Sequence, residues 1–374
     1  MKIGILTSSR ADFGIYHSLL RELNEDNKLI TEIIVFGSHT QEHHDNTVNE
    51  IKSTFRNKIL LVEGMPLNDT QFDISNGYGK LVLSFSNFWN RNKYDIVFAL
   101  GDRFEMSAAV QASIPFEVNI AHIHGGETTI GSTDNIYRHQ ISLASKIHFT
   151  SNNDALLRLN NILDNKKYIY NVGSLSLDNL KSLILPEWDL IIDKFKIPNK
   201  PYVLITFHPE TVGLARNIKY LKILEETLLE LSDHIHLIIT LANADSLGSL
   251  YRELVFKIKK IKPKKISIVY SFGKLNYFSA IKNAKFLLGN SSSGIIEAAS
   301  FQKYAINVGD RQKGRTRSKN IIDVPFKKEN ILFESLLLIT GKTYNGKNNY
   351  HKSESPKTIL KLVYNFLNTN NENK

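Results

Sequence analysis

The fold can be inferred from the stretch KFLLGNSSSGIIEAASFQKYAINVGDRQKGRTR, residues 285–317. Its apolar residues 286–288 predict a buried strand, and residues 295–300 predict a helix. Between them lies the polar turn GNSSSG, in which glycine interrupts the strand pattern. A second short apolar strand is predicted at residues 305–308. A strand, a turn, a helix and another strand in this order are typical of a parallel α/β sheet.

The turns after these two strands favour an anionic ligand. Backbone N–H groups at a helix start are unpaired and lie at the positive end of the helix dipole, so with the hydroxyls of Ser291, Ser292 and Ser293 they suit a phosphate. The alternative is that these serines only cap the helix. Residues 309–315 follow the second strand and contain three cations and two glycines. Because ligands of parallel sheets bind at the carboxyl ends of the strands, we expect an anion here.

Composition indicates a two-domain globular protein. The chain has 374 residues, more than the roughly 250–300 at which a single core stops growing. Hydrophobic residues make up 42% and charged residues 22%, and no apolar run reaches the ~20 residues of a membrane helix. The N-terminal sequence MKIGILTSSRAD has no signal-peptide pattern, which predicts a cytoplasmic protein. The absence of cysteine excludes disulfides, thiolate metal sites and cysteine nucleophiles.

The charge balance leaves several classes of partner open. The formal net charge is +10, which fits nucleic acid, an anionic surface or an acidic small substrate. Many lysines lie in segments rich in Asn and Lys that are typical of solvated surface. No helix-turn-helix, zinc-ligand or aromatic-basic pattern is present, so we expect no nucleic-acid partner.

Strands and helices alternate along the first half of the chain. Apolar runs predict strands at residues 3–6, 30–36, 95–100, 118–123 and 147–150, and helical spacing predicts helices near 15–23, 106–110 and 136–144. Residues 68–88, which contain Asn76, Gly77 and Gly79, are predicted to form a loop before a helix at 81–89. This repeated β-then-α order favours a parallel sheet with helices on both faces.

The second half repeats the plan after a linker near residues 183–201, which contains three prolines. Strands are predicted at residues 202–207, 236–241 and 266–270, and helices at 218–231, 250–258, 275–283 and 331–339. A last amphipathic helix is predicted at 358–367, followed by a disordered tail, 368–374. The predicted fold class is therefore α/β, with two Rossmann-like, doubly wound parallel-sheet domains facing a cleft.

Polar residues that follow the predicted strands are candidates for acid–base chemistry and for phosphate binding. They are Asp102, Glu127, Asp134, His122, His124, His139, His208, Arg10, Arg103, Arg138, Arg311 and Arg315. For each residue alone, a role as a helix cap or a loop anchor is the more frequent explanation, and it is their clustering that favours a functional role. Neighbouring buried carboxylates and imidazoles can have pKa values that differ enough to give one acid and one base, and arginine binds phosphate in a bidentate manner. The pair His122 and His124 also suggests a metal, but the sequence offers no third ligand at a known spacing.

Eight short motifs together resemble the hydrolysing UDP-N-acetylglucosamine 2-epimerases of bacterial sialic acid synthesis. In chain order they are SSRADFG (8–14), GDRFE (101–105), HIHGGE (122–127), DNIYRH (134–139), FHPET (207–211), NAD (243–245), GNSSSGIIE (289–297) and GDRQKGR (309–315). The resemblance covers about residues 1–325. It implies a GT-B-like fold with an N-terminal domain, 1–180, that carries the catalytic carboxylates and is completed by the C-terminal helix, 356–368. A C-terminal domain, 181–355, would bind UDP.

The resemblance also implies a metal-independent reaction without a cofactor. UDP is eliminated across C1 and C2 to leave 2-acetamidoglucal, and water then adds to give N-acetylmannosamine. By matching position, the catalytic residues are Asp102, Glu127, Asp134, Arg138 and His208. The residues that bind substrate or UDP are Arg10, Arg103, His124, Asn243, Phe272, Ser291, Ser292, Gly294, Glu297 and Arg311. The family resemblance further suggests a homodimer or a dimer of dimers.

One position departs from the family pattern. Many relatives, including the animal enzyme, have a functional Glu at the variable position of HIxGGE, where this chain has His124. Glu127, the second carboxylate of the pattern, is therefore the carboxylate carried over. Two alternatives remain open: a hydrolysing 2-epimerase of UDP- or GDP-linked diacetylbacillosamine, for legionaminic acid synthesis, and a GT-B glycosyltransferase that passes the sugar to an acceptor.

Overall fold

A computed structural model describes residues 1–40, 47–65, 68, 70–164, 167–180, 183–241 and 247–372. The chain forms two compact units. The first contains Met1–Glu127, Asp134–Leu180 and Tyr350–Lys374, and the second contains Thr128–Thr133 and Lys181–Asn349. Each unit is thus built from segments that are separated in the sequence.

The elements of residues 1–180 alternate in type. They are β1 (Lys2–Thr7), α1 (Arg10–Glu25), β2 (Ile30–Val35), α2 (Thr47–Thr54), β3 (Lys58–Leu61), α3 (Gln71–Arg91), β4 (Ile96–Leu100), α4 (Phe104–Gln111), β5 (Ile120–Ile123), α5 (Asp134–Ala144), β6 (Ile147–Thr150), α6 (Asn153–Ile162) and β7 (Ile169–Asn171). Within the described residues the strands form one sheet in the order β3-β2-β1-β4-β5-β6-β7, and every pair in it is parallel.

The later part of the chain follows the same plan. Its elements are α7 (Trp188–Phe195), β8 (Tyr202–Thr206), α8 (Arg216–His234), β9 (His236–Thr240), α9 (Gly248–Ile261), β10 (Ile266–Val269), α10 (Lys274–Asn283), β11 (Leu287–Gly289), α11 (Ser292–Ile296), β12 (Ala305–Val308), β13 (Ile321–Val324), α12 (Lys328–Ile339) and α13 (Ser355–Glu372). The described strands form a second parallel sheet in the order β10-β9-β8-β11-β12-β13. The predicted fold class, with two Rossmann-like parallel-sheet domains, is confirmed.

Each unit has its own hydrophobic core, which explains the continuous apolar runs of the central strands. In the first unit, Ile3 and Ile5 of β1 are fully buried in a cluster that also contains Ile359, Val363 and Phe366 of α13. The last helix of the chain therefore packs with the first unit. In the second unit, the corresponding cluster joins the apolar residues of β8 to Leu224, Leu228 and Leu231 of α8.

Helix α3 corrects the prediction for residues 68–88. It begins at Gln71, where the side chain of Thr70 accepts a hydrogen bond from the backbone N–H of Asp73 at 3.1 Å, and it includes Gly77 and Gly79. The predicted loop was wrong because Phe85 and Trp89, fully buried and stacked with ring centroids 5.8 Å apart, stabilise this helix in its tertiary context.

Several short elements were not predicted. The strands β3, β7 and β13 have only three or four residues each and lie at the edges of the sheets, so they carry little pattern. Helix α7 lies in the predicted linker, where Trp188 stacks on Tyr202 with ring centroids 5.0 Å apart. The predicted disordered tail is wrong up to Glu372, because α13 continues to that residue. Within the described residues, no helix is both long enough and apolar enough to cross a membrane.

Candidate active site

Arg138 connects two strand ends of the first unit. Its side chain is 1% exposed, and its guanidinium donates through Nη2 to the Oδ2 of Asp102, which follows β4. It also donates through Nη1 to the main-chain oxygen of Glu127 at 3.0 Å. One buried cation on α5 therefore holds Asp102 beside the main chain of Glu127.

The Glu127 side chain is held by residues that the sequence analysis missed. Glu127 is 3% exposed, and its Oε1 accepts a hydrogen bond from the hydroxyl of Ser151. Asn152 in turn donates to the Ser151 hydroxyl at 3.1 Å, and Arg158 donates to the Gly126 carbonyl at 2.6 Å. Ser151 and Asn152 follow β6, which pairs with β5. The sequence offered one signal for Ser151 and Asn152: they follow a predicted strand, and neighbouring parallel strands end at the same edge of a sheet.

Asp134 is the first residue of α5, one helical turn before Arg138. Residues four apart lie on the same face of a helix, and a carboxylate is favoured at a helix N-terminus. The structure thus brings Asp102, Arg138 and the Glu127 main chain into direct contact, and Asp134 lies on the helix that supplies the arginine.

His122 is not an acid or a base for chemistry near neutral pH. It is fully buried on β5, and burial lowers the pKa of His122 to about 3. The Gly101 carbonyl, 2.9 Å from Nε2, can only accept, so Nε2 carries the proton and Nδ1 accepts from the Ser142 hydroxyl at 3.0 Å. His122 therefore fixes the residue that immediately precedes Asp102. This corrects the expectation that it serves as a titrating partner of the carboxylates.

His124 lies just beyond β5 in a left-handed conformation with φ 64°, and its N–H donates to the Phe149 carbonyl at 2.8 Å. The strand alternation that suggested a pair with His122 therefore does not extend to it. His124 is 8% exposed. Among the described residues, no group of three or more His, Asp or Glu is arranged to hold a metal ion.

The two other candidate arginines of the first unit, Arg103 and Arg10, contact glutamates. Arg103 donates to the Glu105 carboxylate through Nε at 3.2 Å and through Nη2 at 2.9 Å. Glu105 is fully buried, and burial raises its pKa although Arg103 opposes this shift. Arg10, the first residue of α1, lies 3.0 Å through Nε from the Oε2 of Glu50.

In the second unit, Ser291 caps the short helix α11. Its side chain accepts from the backbone N–H of Ser293 at 3.4 Å, so the helix begins at Ser292, three residues before its predicted start. The Ser293 hydroxyl lies 2.5 Å from the hydroxyl of Tyr277, whose pKa burial raises to about 12. These three side chains, together with Thr206, line a depression at the end of β11.

Other residues of the second unit that were predicted to bind substrate or UDP lie before and after this turn in the sequence. Gly294 lies on α11, where a Cβ would meet Ala305 at 3.4 Å, and Glu297, 9% exposed, ends the helix. Arg311 is 9% exposed and donates through Nη1 to the Asn290 carbonyl at 3.2 Å. The Phe272 ring is buried against Phe195, and the main-chain carbonyl of Phe272 accepts a hydrogen bond from Nδ2 of Asn276 at 2.7 Å. Asn243 lies outside the described residues.

The segment between Glu127 and Asp134 belongs to the second unit. There, the N–H of Ile130 donates to the Lys313 carbonyl at 2.9 Å, and the N–H of Thr133 donates to the Thr211 hydroxyl at 2.9 Å. The segment thus bonds to the turns that follow β8 and β12, which carry the motifs FHPET and GDRQKGR. Two candidate catalytic carboxylates flank it in the sequence.

Two Rossmann-like units with polar clusters after their parallel strands place this protein in the class of GT-B-like α/β proteins. The chain matches the model of the UDP-N-acetylglucosamine 2-epimerase family over residues 21–364 and belongs to that family.

Individual relatives agree with this assignment. The chain is 31% identical to the polysialic acid biosynthesis protein P7 of Escherichia coli, over 99% of this chain and 95% of that protein. It is 33% identical to the GDP/UDP-N,N'-diacetylbacillosamine 2-epimerase (hydrolyzing) of Campylobacter jejuni, over 90% and 87%. The structure of the UDP-GlcNAc 2-epimerase of Methanocaldococcus jannaschii in complex with UDP-GlcNAc and UDP superposes with a TM-score of 0.80 at 21% identity, over 97% of this chain and 99% of that one. At that identity, the structural similarity establishes the fold.

Proposed function

We propose that this protein is a hydrolysing UDP-N-acetylglucosamine 2-epimerase, which converts UDP-N-acetylglucosamine and water into N-acetylmannosamine and UDP. The observation that carries the proposal is the bonding of Arg138 to both the Asp102 carboxylate and the Glu127 main chain. Asp102 and Glu127, two of the three residues matched to the family's catalytic carboxylates, are thereby held together in one polar network. Membership of the epimerase family supports the same reaction.

The proposed reaction has two stages. In the first, a carboxylate removes the proton from C2 while the bond between C1 and the diphosphate oxygen breaks, which leaves 2-acetamidoglucal and UDP. In the second, water adds its hydroxyl to C1 and a proton is delivered to C2 on the face that gives the manno configuration. Both stages need a general acid or base at C2. Asp102, Glu127 and Asp134 are the groups proposed for these proton transfers.

The residues of the first unit have separate parts in this scheme. Asp102 has a side chain that is 25% exposed, so its carboxylate can reach a substrate. Glu127 is buried and bonded to Ser151, which fixes the direction of its carboxylate. Arg138 holds Asp102 in place and supplies positive charge. Fixed charges of this kind stabilise a transition state without having to reorganise.

Binding of the nucleotide is assigned mainly to the second unit. Ser291, Ser292, Gly294, Glu297 and Arg311 are proposed to hold the diphosphate and the ribose, with His208 beside the diphosphate and the sugar. Two features support this: hydroxyls and an arginine follow neighbouring strands of one parallel sheet, and ligands of such sheets bind at that edge. Arg10, Arg103, His124, Asn243 and the main chain of Phe272 are the other residues proposed to bind the substrate or UDP.

Proton NMR in D₂O tests the reaction directly. Incubation with UDP-N-acetylglucosamine should give UDP and free N-acetylmannosamine with deuterium at C2. Asp102→Asn and Asp134→Asn should abolish UDP release while calorimetric UDP binding remains. Free N-acetylglucosamine, product without deuterium at C2, or UDP release only when a sugar acceptor is added would each refute the proposal; the last result would indicate a glycosyltransferase.

A second candidate substrate is favoured by a specific similarity. The Campylobacter jejuni relative, which is named a GDP/UDP-diacetylbacillosamine 2-epimerase, is 33% identical over 90% of this chain. The chemistry at C1 and C2 would be the same, and only the group at C4 and the nucleotide would differ. Parallel assays with UDP-N-acetylglucosamine and with UDP- and GDP-diacetylbacillosamine, compared by kcat/KM, identify the preferred substrate.

A further inference from the structure

Asn290 lies between β11 and α11 and is fully buried. Its side-chain amide makes two hydrogen bonds to the main chain of His208. The Nδ2 group donates to the His208 carbonyl at 2.8 Å, and Oδ1 accepts from the His208 N–H at 2.8 Å. The amide thus pairs with His208 as a neighbouring strand would.

The main chain of Asn290 contacts two further segments. Its carbonyl accepts from Nη1 of Arg311 at 3.2 Å and from Nε2 of Gln312 at 3.0 Å. Its N–H donates to the Thr206 carbonyl at 3.1 Å. Asn290 is therefore bonded at the same time to the turn after β8 and to the turn after β12.

The order of strands in the sheet explains why Asn290 can bond to both turns. Strand β11 lies between β8 and β12, so the residue that follows β11 is next to both turns. His208 follows β8 and Arg311 follows β12. Neither residue needs to contact the other, because each is bonded to Asn290.

We propose that Asn290 is a positioning residue that sets the place of His208 relative to Arg311 for binding of the diphosphate. This inference rests on the proposed function, which assigns both residues to the nucleotide. Asn290 acts on His208 through its side chain and on Arg311 through its main chain, so a substitution separates the two effects.

The side-chain chemistry restricts which residues can do this. Pairing with a backbone N–H and a backbone carbonyl requires one acceptor and one donor on the same group, which an amide has and an ionised carboxylate lacks. In Asn290→Asp a carboxylate oxygen faces the His208 carbonyl. Asn290→Ala removes both bonds without adding a charge.

The control is Asn320→Asp. Asn320 is also fully buried in the second unit, and its Nδ2 donates to a main-chain carbonyl, that of Lys303, at 2.9 Å. It lies just before β13, whereas Asn290 follows β11, so it is at the amino end of its strand. This variant carries the same chemical change without touching His208.

The test is a double-mutant cycle between Asn290→Asp and His208→Ala, measured by UDP affinity in calorimetry and by kcat/KM. Loss of a buried hydrogen-bond partner should weaken UDP binding by about 5- to 150-fold in Asn290→Asp. The same change should have little further effect in the His208→Ala background, because its effect passes through His208. Asn320→Asp should lower stability without changing UDP affinity. Equal losses in both backgrounds would overturn the proposal.

A ligand-free readout keeps the result independent of the proposed reaction. In protein labelled at histidine Cε1, the His208 resonance, assigned from His208→Ala, should shift in Asn290→Asp and stay in place in Asn320→Asp. If Asn290→Asp does not fold, Asn290→Ala serves in the same measurements. An unchanged His208 signal overturns the positioning role whether or not UDP-N-acetylglucosamine is turned over. A shifted signal without turnover supports the positioning and rejects only the proposed function.

Discussion

Arg138 and Asp102 form an ion pair in which the guanidinium is 1% exposed and the carboxylate is 25% exposed. The arginine is therefore enclosed by the protein, while part of the acid remains open to solvent. A buried cation depends on its partners, since removing one partner of such a pair is strongly destabilising. The pair consequently affects both folding and any chemistry at Asp102.

The first prediction concerns Arg138→Lys. Lysine keeps the charge but cannot donate in the planar, forked manner of arginine to Asp102 and to the Glu127 carbonyl. We expect the free energy of unfolding to fall by about 1–3 kcal/mol and kcat to fall by about tenfold or more. Urea unfolding and UDP release measure the two effects. Arg91→Lys, at the exposed end of α3, is the control and should change neither.

The second prediction concerns Ser151→Ala. The change removes the hydroxyl that donates to the Glu127 carboxylate, so Glu127 loses its fixed orientation. We expect kcat to fall by about 5- to 50-fold, since a net hydrogen bond to a charged group contributes about 1.5–3 kcal/mol, part of which is kept in the ground state. Steady-state kinetics provide the measurement. Ser145→Ala, whose hydroxyl donates to the Ile141 carbonyl of α5, the helix that ends just before it, is the matched control. Equal kcat values for the two variants would contradict the assigned role.

The third prediction is a loss of stability in mild acid. Burial lowers the pKa of His122 to about 3 and the pKa values of three other histidines to about 4: His39, His148 and His236. Between pH 6.5 and about 4, the unfolded chain binds protons at these histidines and the folded protein does not. The free energy of unfolding should therefore decrease as the pH falls through this range. Glu105 and Glu210, whose pKa values burial raises, act in the opposite direction and reduce the net slope.

Urea unfolding between pH 5 and pH 7 measures this dependence. In His122→Gln the amide can still donate to the Gly101 carbonyl, but one titrating group is gone. The slope of the free energy of unfolding against pH should therefore decrease by up to about 1.4 kcal/mol per pH unit, the value for one proton. An unchanged slope in this variant would show that His122 takes up its proton in the folded protein.

The fourth prediction compares two glycine substitutions. Gly79 lies inside α3 with nothing within 4 Å of an added Cβ, so Gly79→Ala should stabilise the protein by about 0.5–1 kcal/mol. Gly309 has φ 78°, and an added Cβ would lie 2.6 Å from Oε1 of Glu210. Gly309→Ala should therefore lower both stability and UDP affinity. Thermal unfolding measures the stability of the two variants. A destabilised Gly79→Ala would contradict the assignment of residue 79 to a helix.

The sequence was sufficient to predict the parallel sheets, because their central strands are largely apolar and are followed by polar residues. It failed at α3, where two glycines indicated a loop but the packing of Phe85 and Trp89 stabilises a helix. It also failed to predict β13, a four-residue edge strand that is interrupted by the charged residue Asp323.

For the candidate site, the sequence located residues at strand ends but not their partners. Ser151 and Asn290 were not predicted to support Glu127 and His208, since each pair comes from separate strands and depends on strand order, which local pattern does not encode. His122 was expected to titrate with the carboxylates, and only its complete burial shows otherwise.

Helix α13 has a consequence for synthesis on the ribosome. Its residues Ile359, Val363 and Phe366 belong to the core of the first unit, yet they are translated after every residue of Lys181–Asn349. The core of the nascent N-terminal segment therefore stays incomplete, with apolar surface of α1 exposed, while the second unit is synthesised and can fold. Chaperones that bind exposed apolar surface should accordingly associate with the nascent N-terminal segment until translation has passed Phe366.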